Sequence, residues 1–215
     1  ITWDKGIPQG MPLTALFANL YLTEVDKTLG HKVALYRRAG DDLIAFDKDK
    51  NKVEDVFLKA QKMAKDLGLV IQETKTHFAK NDEPFSYLGY VFKNNHLSLR
   101  ASLVRALKIN WRQQLEFKEG SLNQKITRLR YLCFLRENNF QRQFLEVFRQ
   151  HQQVDDDEEI KKLSHQFYNY VAIFLLGKAT PRNRRLAQKY LKEIKLPSFY
   201  ETYLAYRRGK KELAT

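Results

Sequence analysis

Residues 33–46 read VALYRRAGDDLIAF, and this stretch decides how the first part of the chain folds. Two short apolar runs, residues 33–36 and 43–46, flank a polar centre that contains Gly40. Apolar runs separated by a few residues with a glycine are typical of a β-hairpin. The pattern therefore predicts a hairpin whose turn presents two adjacent carboxylates, Asp41 and Asp42.

Helical periodicity is found on both sides of this hairpin. Apolar residues recur every three or four positions over residues 12–29 and 51–67, which predicts an amphipathic helix in each segment. Strands are predicted over residues 69–71 and 76–78, and a second hairpin is predicted over residues 85–99 with its turn near Asn94 and Asn95.

After about residue 98 the pattern becomes helical throughout, with basic and aromatic residues interleaved. Helices are predicted over residues 103–117, 122–136, 140–150, 158–176, 182–194 and 198–208. The acidic run 155–159 is interpreted as a solvated linker and helix start, since acidic side chains favour a helix N-terminus. The sequence predicts an α+β fold with a mixed domain over residues 1–98 and an all-helical domain over residues 99–215.

The chain of 215 residues carries a formal net charge of +13, with a pI of about 9.7. Such a charge favours a polyanionic partner, above all nucleic acid, with a membrane surface as the second option. No apolar run approaches the roughly 18 residues of a membrane span. Cys133 is the only cysteine, which excludes an internal disulfide and fits a reducing, cytoplasmic setting.

Adjacent carboxylates repel each other unless a cation neutralises them, and carboxylate oxygens are preferred ligands of Mg²⁺. Asp41 and Asp42 are therefore candidate ligands of Mg²⁺, with Mn²⁺ as a possible substitute. Two such ions about 4 Å apart activate a hydroxyl and stabilise a leaving pyrophosphate in nucleotidyl transfer. The alternative is an ordinary Gly-Asp-Asp turn on a solvated loop.

Further motifs accompany the Asp pair. In chain order they are GIPQG at residues 6–10, PL at 12–13, FANLYL at 17–22, Tyr36, Asp41–Asp42, LGL at 67–69, KT at 75–76 and YLGY at 87–90. In this order and spacing they resemble motifs B to E of reverse transcriptases of the group II intron-like bacterial type, a group with CRISPR-associated and antiphage-defence relatives. The resemblance covers about residues 5–92, and the rest of the chain is similar to these proteins only in its basic helical character.

The resemblance implies a right-hand polymerase palm, built on an antiparallel sheet with packed helices, followed by a helical thumb. It also implies roles for matching residues. Asp41 and Asp42 match the metal ligands, Lys75 matches a residue proposed to protonate pyrophosphate, and two further sets match the loop against nucleotide and template (Pro8, Gln9, Gly10) and the primer grip (Tyr87, Leu88, Gly89, Tyr90). The aromatic residues of the last set could equally belong to a hydrophobic core.

The implied activity is RNA-directed DNA polymerisation, with an RNA template, a DNA or RNA primer and dNTPs as partners. Nucleic-acid affinity is expected in the thumb, where basic side chains hold phosphates and aromatic rings stack on bases. The candidate residues are Arg128, Arg130, Arg136, Arg182, Arg184 and Arg185. For each of them a solvated helix face is the alternative.

Two departures from the family pattern matter. Ala39 and Gly40 occupy positions that usually hold a tyrosine and a small residue, and Gly40-Asp41-Asp42 also echoes RNA-dependent RNA polymerases. The third metal-binding Asp of the family has no counterpart, because Asp4 is too close to the loop at residues 6–10 and Asp26 lies on the following helix.

We expect an upstream fingers and palm segment to supply the third catalytic Asp, and we expect the chain alone to bind polynucleotide without polymerising. A non-catalytic RNA-binding scaffold with a polymerase shape is the alternative from another functional class.

Overall fold

The computed structural model describes residue 6 and residues 12–80, 82–116 and 119–209. By their internal packing the residues separate into two compact units, Ile1–Asn81 and Asp82–Thr215. Each unit has its own hydrophobic core.

Unit 1 is built from three helices and one hairpin among its described residues. In chain order they are α1 (Thr14–Tyr21), α2 (Thr23–Gly30), β1 (Leu35–Ala39), β2 (Asp42–Phe46) and α3 (Lys50–Asp66). Strands β1 and β2 pair antiparallel from Leu35 opposite Phe46 to Ala39 opposite Asp42. The core of unit 1 contains Val25, Leu29, Val33, Tyr36, Val56 and Ala60.

The single helix predicted over residues 12–29 is wrong in one respect, because it is interrupted at Leu22. The hydroxyl of Thr23 donates to the carbonyl oxygen of Asn19, four residues earlier, at 2.8 Å. Threonine bonds of this kind bend helices. Backbone bonds continue across the interruption, from the Leu22 amide to Ala18 and from the Asp26 amide to Leu22, so the two segments form a bent pair.

The strands predicted over residues 69–71 and 76–78 do not form, and these described residues are irregular around one 3₁₀ turn, Glu73–Lys75. Val70 is 89% exposed. A β-branched run becomes a strand only where neighbouring strands and a buried face support it, and propensity alone does not supply them.

Unit 2 combines a three-stranded antiparallel sheet with helices. The strands are β3 (Phe85–Tyr87), β4 (Tyr90–Lys93) and β5 (His96–Leu99), paired in that order. The described helices are α4 (Ala101–Gln114), α5 (Leu122–Arg130), α6 (Phe140–Gln150), α7 (Asp157–Leu176), α8 (Pro181–Glu193) and α9 (Phe199–Arg207). A π-helical turn, Tyr131–Leu135, extends α5.

The core of unit 2 is centred on Trp111 of α4, which is fully buried. Phe144, Phe167 and Phe199 meet its ring edge to face, with centroids 5.7, 5.2 and 5.4 Å away. Aromatic pairs prefer this geometry, and each contributes about 0.5–1.5 kcal/mol beyond its buried area. Cys133 is buried in the same core, and its burial raises the pKa of the thiol well above its usual range.

The acidic run 155–159 ties β5 to α7, so its interpretation as a solvated linker is wrong. The Asp155 carboxylate accepts from the Leu97 amide at 2.6 Å, and the Asp155 amide donates to the Leu97 carbonyl at 3.0 Å. Asp156 accepts from the Ser98 hydroxyl, and Glu159 accepts from the Leu99 amide at 3.2 Å. We call these six residues the β5–α7 clip. The prediction of a helix start is confirmed, because Asp156 caps α7 by accepting from the Glu159 amide.

The predicted α+β class is confirmed. By packing, the sheet β3–β5 belongs with the helices of unit 2, and the motif-based domain boundary between residues 98 and 99 stays a prediction. Among the described residues, no helix combines the length and the apolar character that crossing a membrane requires.

Candidate active site

The turn between β1 and β2 consists of Gly40 and Asp41, with Ala39 and Asp42 paired across it. Gly40 has a φ of +65°, and Asp41 is not among the residues with positive φ. These signs are those of a type II′ turn, which favours glycine at its first central position and matches the twist of a hairpin. Gly40, at the position that holds a small residue in the family pattern, is therefore suited to this turn.

Asp41 and Asp42 are both exposed. Neither side chain has a hydrogen bond or an ion pair with a residue that the structure describes, so their oxygens are available to a cation. Adjacent carboxylates of this kind can hold one Mg²⁺ that keeps several waters. The described residues contain no group of three or more potential ligands, so two ions in reaction geometry would require a further carboxylate.

Arg38 lies just before this turn and contacts three segments. Its Nε and Nη2 atoms donate to the two carboxylate oxygens of Asp26 at 2.9 and 2.6 Å. Its Nη1 atom donates to the Asn19 side chain at 3.2 Å and to the Gly40 carbonyl at 2.7 Å. The Arg38 guanidinium holds the pKa of Asp26 below its usual value, and the Tyr36 hydroxyl, which donates to Asp26 at 2.8 Å, lowers it further.

Asp26 and Asp47 are candidate substitutes for a missing third carboxylate, and both already have partners. Asp26 is held by Arg38 and Tyr36. Asp47 accepts from the amides of Asp49 and Ala34, each at 2.9 Å, and the bond from Asp49 is the main cause of its lowered pKa. These hydrogen bonds favour a structural role for both carboxylates.

The other residues of the predicted catalytic set are placed differently. Lys75 ends the 3₁₀ turn Glu73–Lys75 and is exposed, and its side chain pairs with no described residue. Pro8, Gln9 and Gly10 lie outside the described residues. Asp41 and Asp42 thus lie together at the β1–β2 turn, and no contact between described residues joins Lys75 to them.

The predicted primer grip is the two-residue turn between β3 and β4. Tyr87 and Tyr90 pair across it, while Leu88 and Gly89 have φ values of +48° and +87°. Positive φ is unfavourable for leucine, and Leu88 is exposed at the tip. Tyr90 packs against the core of unit 2 and meets the His151 ring edge to face at 5.8 Å. The turn therefore combines one core aromatic with one strained, exposed apolar tip.

The predicted nucleic-acid-binding arginines lie on two helical regions of unit 2. Arg128 stacks over the Tyr131 ring at 5.1 Å, and Arg130 and Arg136 are exposed on either side of the π-helical turn. Arg182, Arg184 and Arg185 lie in the first turns of α8, after Pro181 and the Thr180 cap. None of the six forms an ion pair with a described residue, which leaves their charges available to an anion.

Sequence reasoning missed a second basic surface on α4. Arg105, Lys108 and Arg112 line an open cleft together with Glu159 and Tyr170 of α7, so three cations face one carboxylate. Spacings of three and four residues place these cations on one helix face. The same spacing is visible in the sequence, so the basic stripe could have been found from periodicity.

A comparison with family models finds one match, described as reverse transcriptase (RNA-dependent DNA polymerase), over residues 2–92. No curated protein matches the chain. The matched region contains the Asp41–Asp42 turn and the Tyr87–Tyr90 turn, and it supports nucleotidyl transfer as the general class of activity. Residues 2–92 of this chain are therefore similar to the reverse transcriptase family.

Proposed function

We propose that this chain supplies metal ligands and a nucleic-acid-binding unit to an RNA-directed DNA polymerase of the group II intron-like type. The observation that carries the proposal is the exposed Asp41–Asp42 pair, whose side chains bond to no described residue and which lies on a tight turn inside the matched region. The order of the surrounding sequence motifs supports the subtype.

The proposed reaction joins a primer to a dNTP on an RNA template. The primer 3′-hydroxyl attacks the α-phosphorus, an O3′–P bond forms, the bond to pyrophosphate breaks, and the hydroxyl proton is lost to solvent. Asp41 and Asp42 would hold Mg²⁺ or Mn²⁺, and the bound metal would supply activation of the attacking hydroxyl and neutralisation of the leaving pyrophosphate. Lys75 is retained in this proposal as the proton donor to pyrophosphate.

A third carboxylate would come from a fingers and palm segment that is not among the described residues. Helix α1 supports a partner of this kind, because it buries no residue and exposes Leu16, Phe17 and Leu20 to solvent. Contiguous exposed apolar surface marks interaction sites. We therefore expect the 215-residue chain to bind metal and polynucleotide but to extend a primer only with this segment added.

The experiment compares Asp41→Asn with Asp66→Asn, which removes the same charge from an exposed position at the end of α3. Mn²⁺ binding to the chain is measured by electron paramagnetic resonance. Primer extension is measured after adding the fingers and palm segment. Asp41→Asn is expected to weaken Mn²⁺ binding at least tenfold and to abolish extension, while Asp66→Asn leaves both unchanged. Equal behaviour of the two variants would contradict the metal assignment.

RNA synthesis is the second candidate activity, favoured by glycine in front of the Asp pair. Extension with NTPs in place of dNTPs in the same assay would support it. Metal-independent RNA binding, with no extension under either condition, would support the non-catalytic scaffold.

A further inference from the structure

One guanidinium group in unit 1 joins two helices to the turn that carries the Asp pair. Arg38 donates to Asn19 on α1, to both oxygens of Asp26 on α2 and to the Gly40 carbonyl in the turn. Its side chain is 8% exposed, against 35% for Asp26. A forked arginine–carboxylate pair has a fixed geometry, because two parallel hydrogen bonds define both position and orientation.

The bond to the Gly40 carbonyl acts on the central peptide of the turn, which has two possible orientations. Type I′ and type II′ turns are both found in two-residue hairpins, and they differ in the sign of φ at the second central residue. Exchanging them requires the central peptide, here between Gly40 and Asp41, to flip. Glycine at position 40 permits positive φ in both states and therefore does not select between them.

The Arg38 Nη1 atom holds the carbonyl of that central peptide at 2.7 Å. A flip would turn this carbonyl away and break the bond, leaving a buried donor with the Asn19 side chain alone. It would also force positive φ on Asp41 and re-aim its side chain. Asp26, which accepts two bonds from Arg38 and one from Tyr36, keeps the guanidinium in place.

We propose that Arg38 is a positioning residue, which fixes the central peptide of the Gly40–Asp41 turn and thereby the direction in which Asp41 and Asp42 meet a metal ion. The effect of Arg38 on metal binding rests on the proposed function. The effect of Arg38 on the conformation of the turn rests only on the contacts of the turn. The competing role for Arg38 is only to attach α2 to β1.

The test uses Arg38→Lys in the 215-residue chain, with Arg37→Lys as the matched control. Lysine keeps the charge but cannot reproduce the fork. Arg37 is the neighbouring residue on the same strand, and its side chain donates to the Tyr36 carbonyl, not to the turn. Asp26→Asn serves as a second variant, which weakens the hold on Arg38 without replacing it. The positioning role can therefore be tested even if Arg38→Lys folds poorly.

The conformational readout is NMR of the turn amides. Arg38→Lys is expected to double or broaden the Asp41 and Asp42 signals and to strengthen the HN–Hα Overhauser effect within Asp41, which reports positive φ. Signals of the core residues Val25 and Leu29 should stay close to those of the parent. Asp41 and Asp42 signals that are the same in Arg38→Lys and Asp26→Asn as in Arg37→Lys would overturn the proposal.

The metal readout is Mn²⁺ affinity, expected to fall about tenfold in Arg38→Lys and to stay at the parent value in Arg37→Lys. Parent affinity in Arg38→Lys, with a clear loss in Asp41→Asn, would reject the positioning role while leaving the proposed function intact. Parent affinity in Asp41→Asn would reject the metal assignment, and the NMR readout would still decide whether Arg38 fixes the turn.

Discussion

The carboxylates of unit 1 differ chiefly in whether protein groups already neutralise them. Asp26 receives three side-chain hydrogen bonds and Asp47 receives two backbone bonds, whereas Asp41 and Asp42 receive none from the described residues. Hydrogen bonds to the charged form lower a carboxyl pKa and stabilise the fold. Asp26 and Asp47 therefore contribute to stability, whereas Asp41 and Asp42 are available to a ligand.

Replacing Asp26 with asparagine is expected to lower the free energy of unfolding of unit 1 by about 1 kcal/mol at pH 7. This is below the range for hydrogen bonds to charged groups, because 35% of the Asp26 side chain remains in solvent. Since folding lowers the pKa of Asp26 from 3.8, its stabilisation is present above that pH and is lost as the pH falls further. Urea unfolding followed by NMR signals of unit 1 should show the deficit shrinking below pH 3.8; a deficit independent of pH would contradict this account.

At the same scale, the sequence marks Asp41 and Asp42 as candidate site residues and gives no indication of Arg38. An Asp pair beside a glycine in a predicted turn is a local pattern. The partners of Arg38 lie 12 and 19 positions away at Asp26 and Asn19, and they meet only when α1 and α2 pack beside β1. A single basic residue in a basic chain carries no local sign of such a role.

Among the secondary-structure elements, the β5–α7 clip holds the Glu159 carboxylate in an environment that disfavours its charged form. Burial of Glu159 and the neighbouring Asp156 raise the pKa of Glu159 above its usual 4.5. A raised carboxyl pKa means that stability falls as the pH rises from 4.5 through the folded value.

Glu159→Gln is therefore expected to be more stable than the parent at pH 7, since glutamine keeps an oxygen for the Leu99 amide and carries no charge. The advantage should disappear below pH 4.5, where Glu159 is protonated in both states. Thermal unfolding at the two pH values checks this. Glu158→Gln, at an exposed neighbouring position paired with Lys161, is the matched control and should lack the pH-dependent gain.

The basic faces of α4 and α8 are expected to bind nucleic-acid phosphates. Changing Arg105, Lys108 and Arg112 together to alanine should weaken binding to all sequences, and the slope of log affinity against log salt should become shallower by about 2–3. The Arg182, Arg184 and Arg185 triple variant should behave similarly. A control that removes Lys52, Lys62 and Lys65 from α3 lowers the net charge equally. A control with the same change in slope would show that net charge, not these faces, determines binding.

Element prediction from sequence succeeded where one periodicity extended over a whole segment. The helices of unit 2 follow the predicted order, because their apolar stripes meet one another in a shared core. The prediction failed at Leu22, where the Thr23 side chain bonds to the backbone and the helix is interrupted. It also failed over residues 69–78, where no partner strand among the described residues supports a strand. The clip was missed because an acidic run at a helix start predicts only the cap, and its other bonds reach residues 58 to 60 positions away.

At the scale of the molecule, the residues that the structure describes form two hydrophobic cores that share no residue. Leu29→Ala is expected to destabilise unit 1 by about 2–5 kcal/mol, and Phe144→Ala is expected to destabilise unit 2 by about 3–5 kcal/mol. Each variant should shift the unfolding of its own unit only, because separate cores lose their packing independently. Trp111 fluorescence, recorded in a Trp3→Phe background because Trp3 belongs to unit 1, reports unit 2, and NMR signals of Val25 and Val56 report unit 1. A shift of both reporters by either variant would show that the units unfold together.

The β5–α7 clip also has a consequence in time. During synthesis, the amides of Leu97 and Leu99 leave the ribosome about 60 residues before the carboxylates that accept their hydrogen bonds. At roughly 5–20 residues per second, that interval lasts roughly 3–12 s. Throughout it, one edge of the nascent three-stranded sheet presents unpaired amides, which is the surface that chaperones protect and that other nascent chains pair with. We therefore expect the yield of folded protein to depend on how quickly the ribosome translates the codons for residues 100–159.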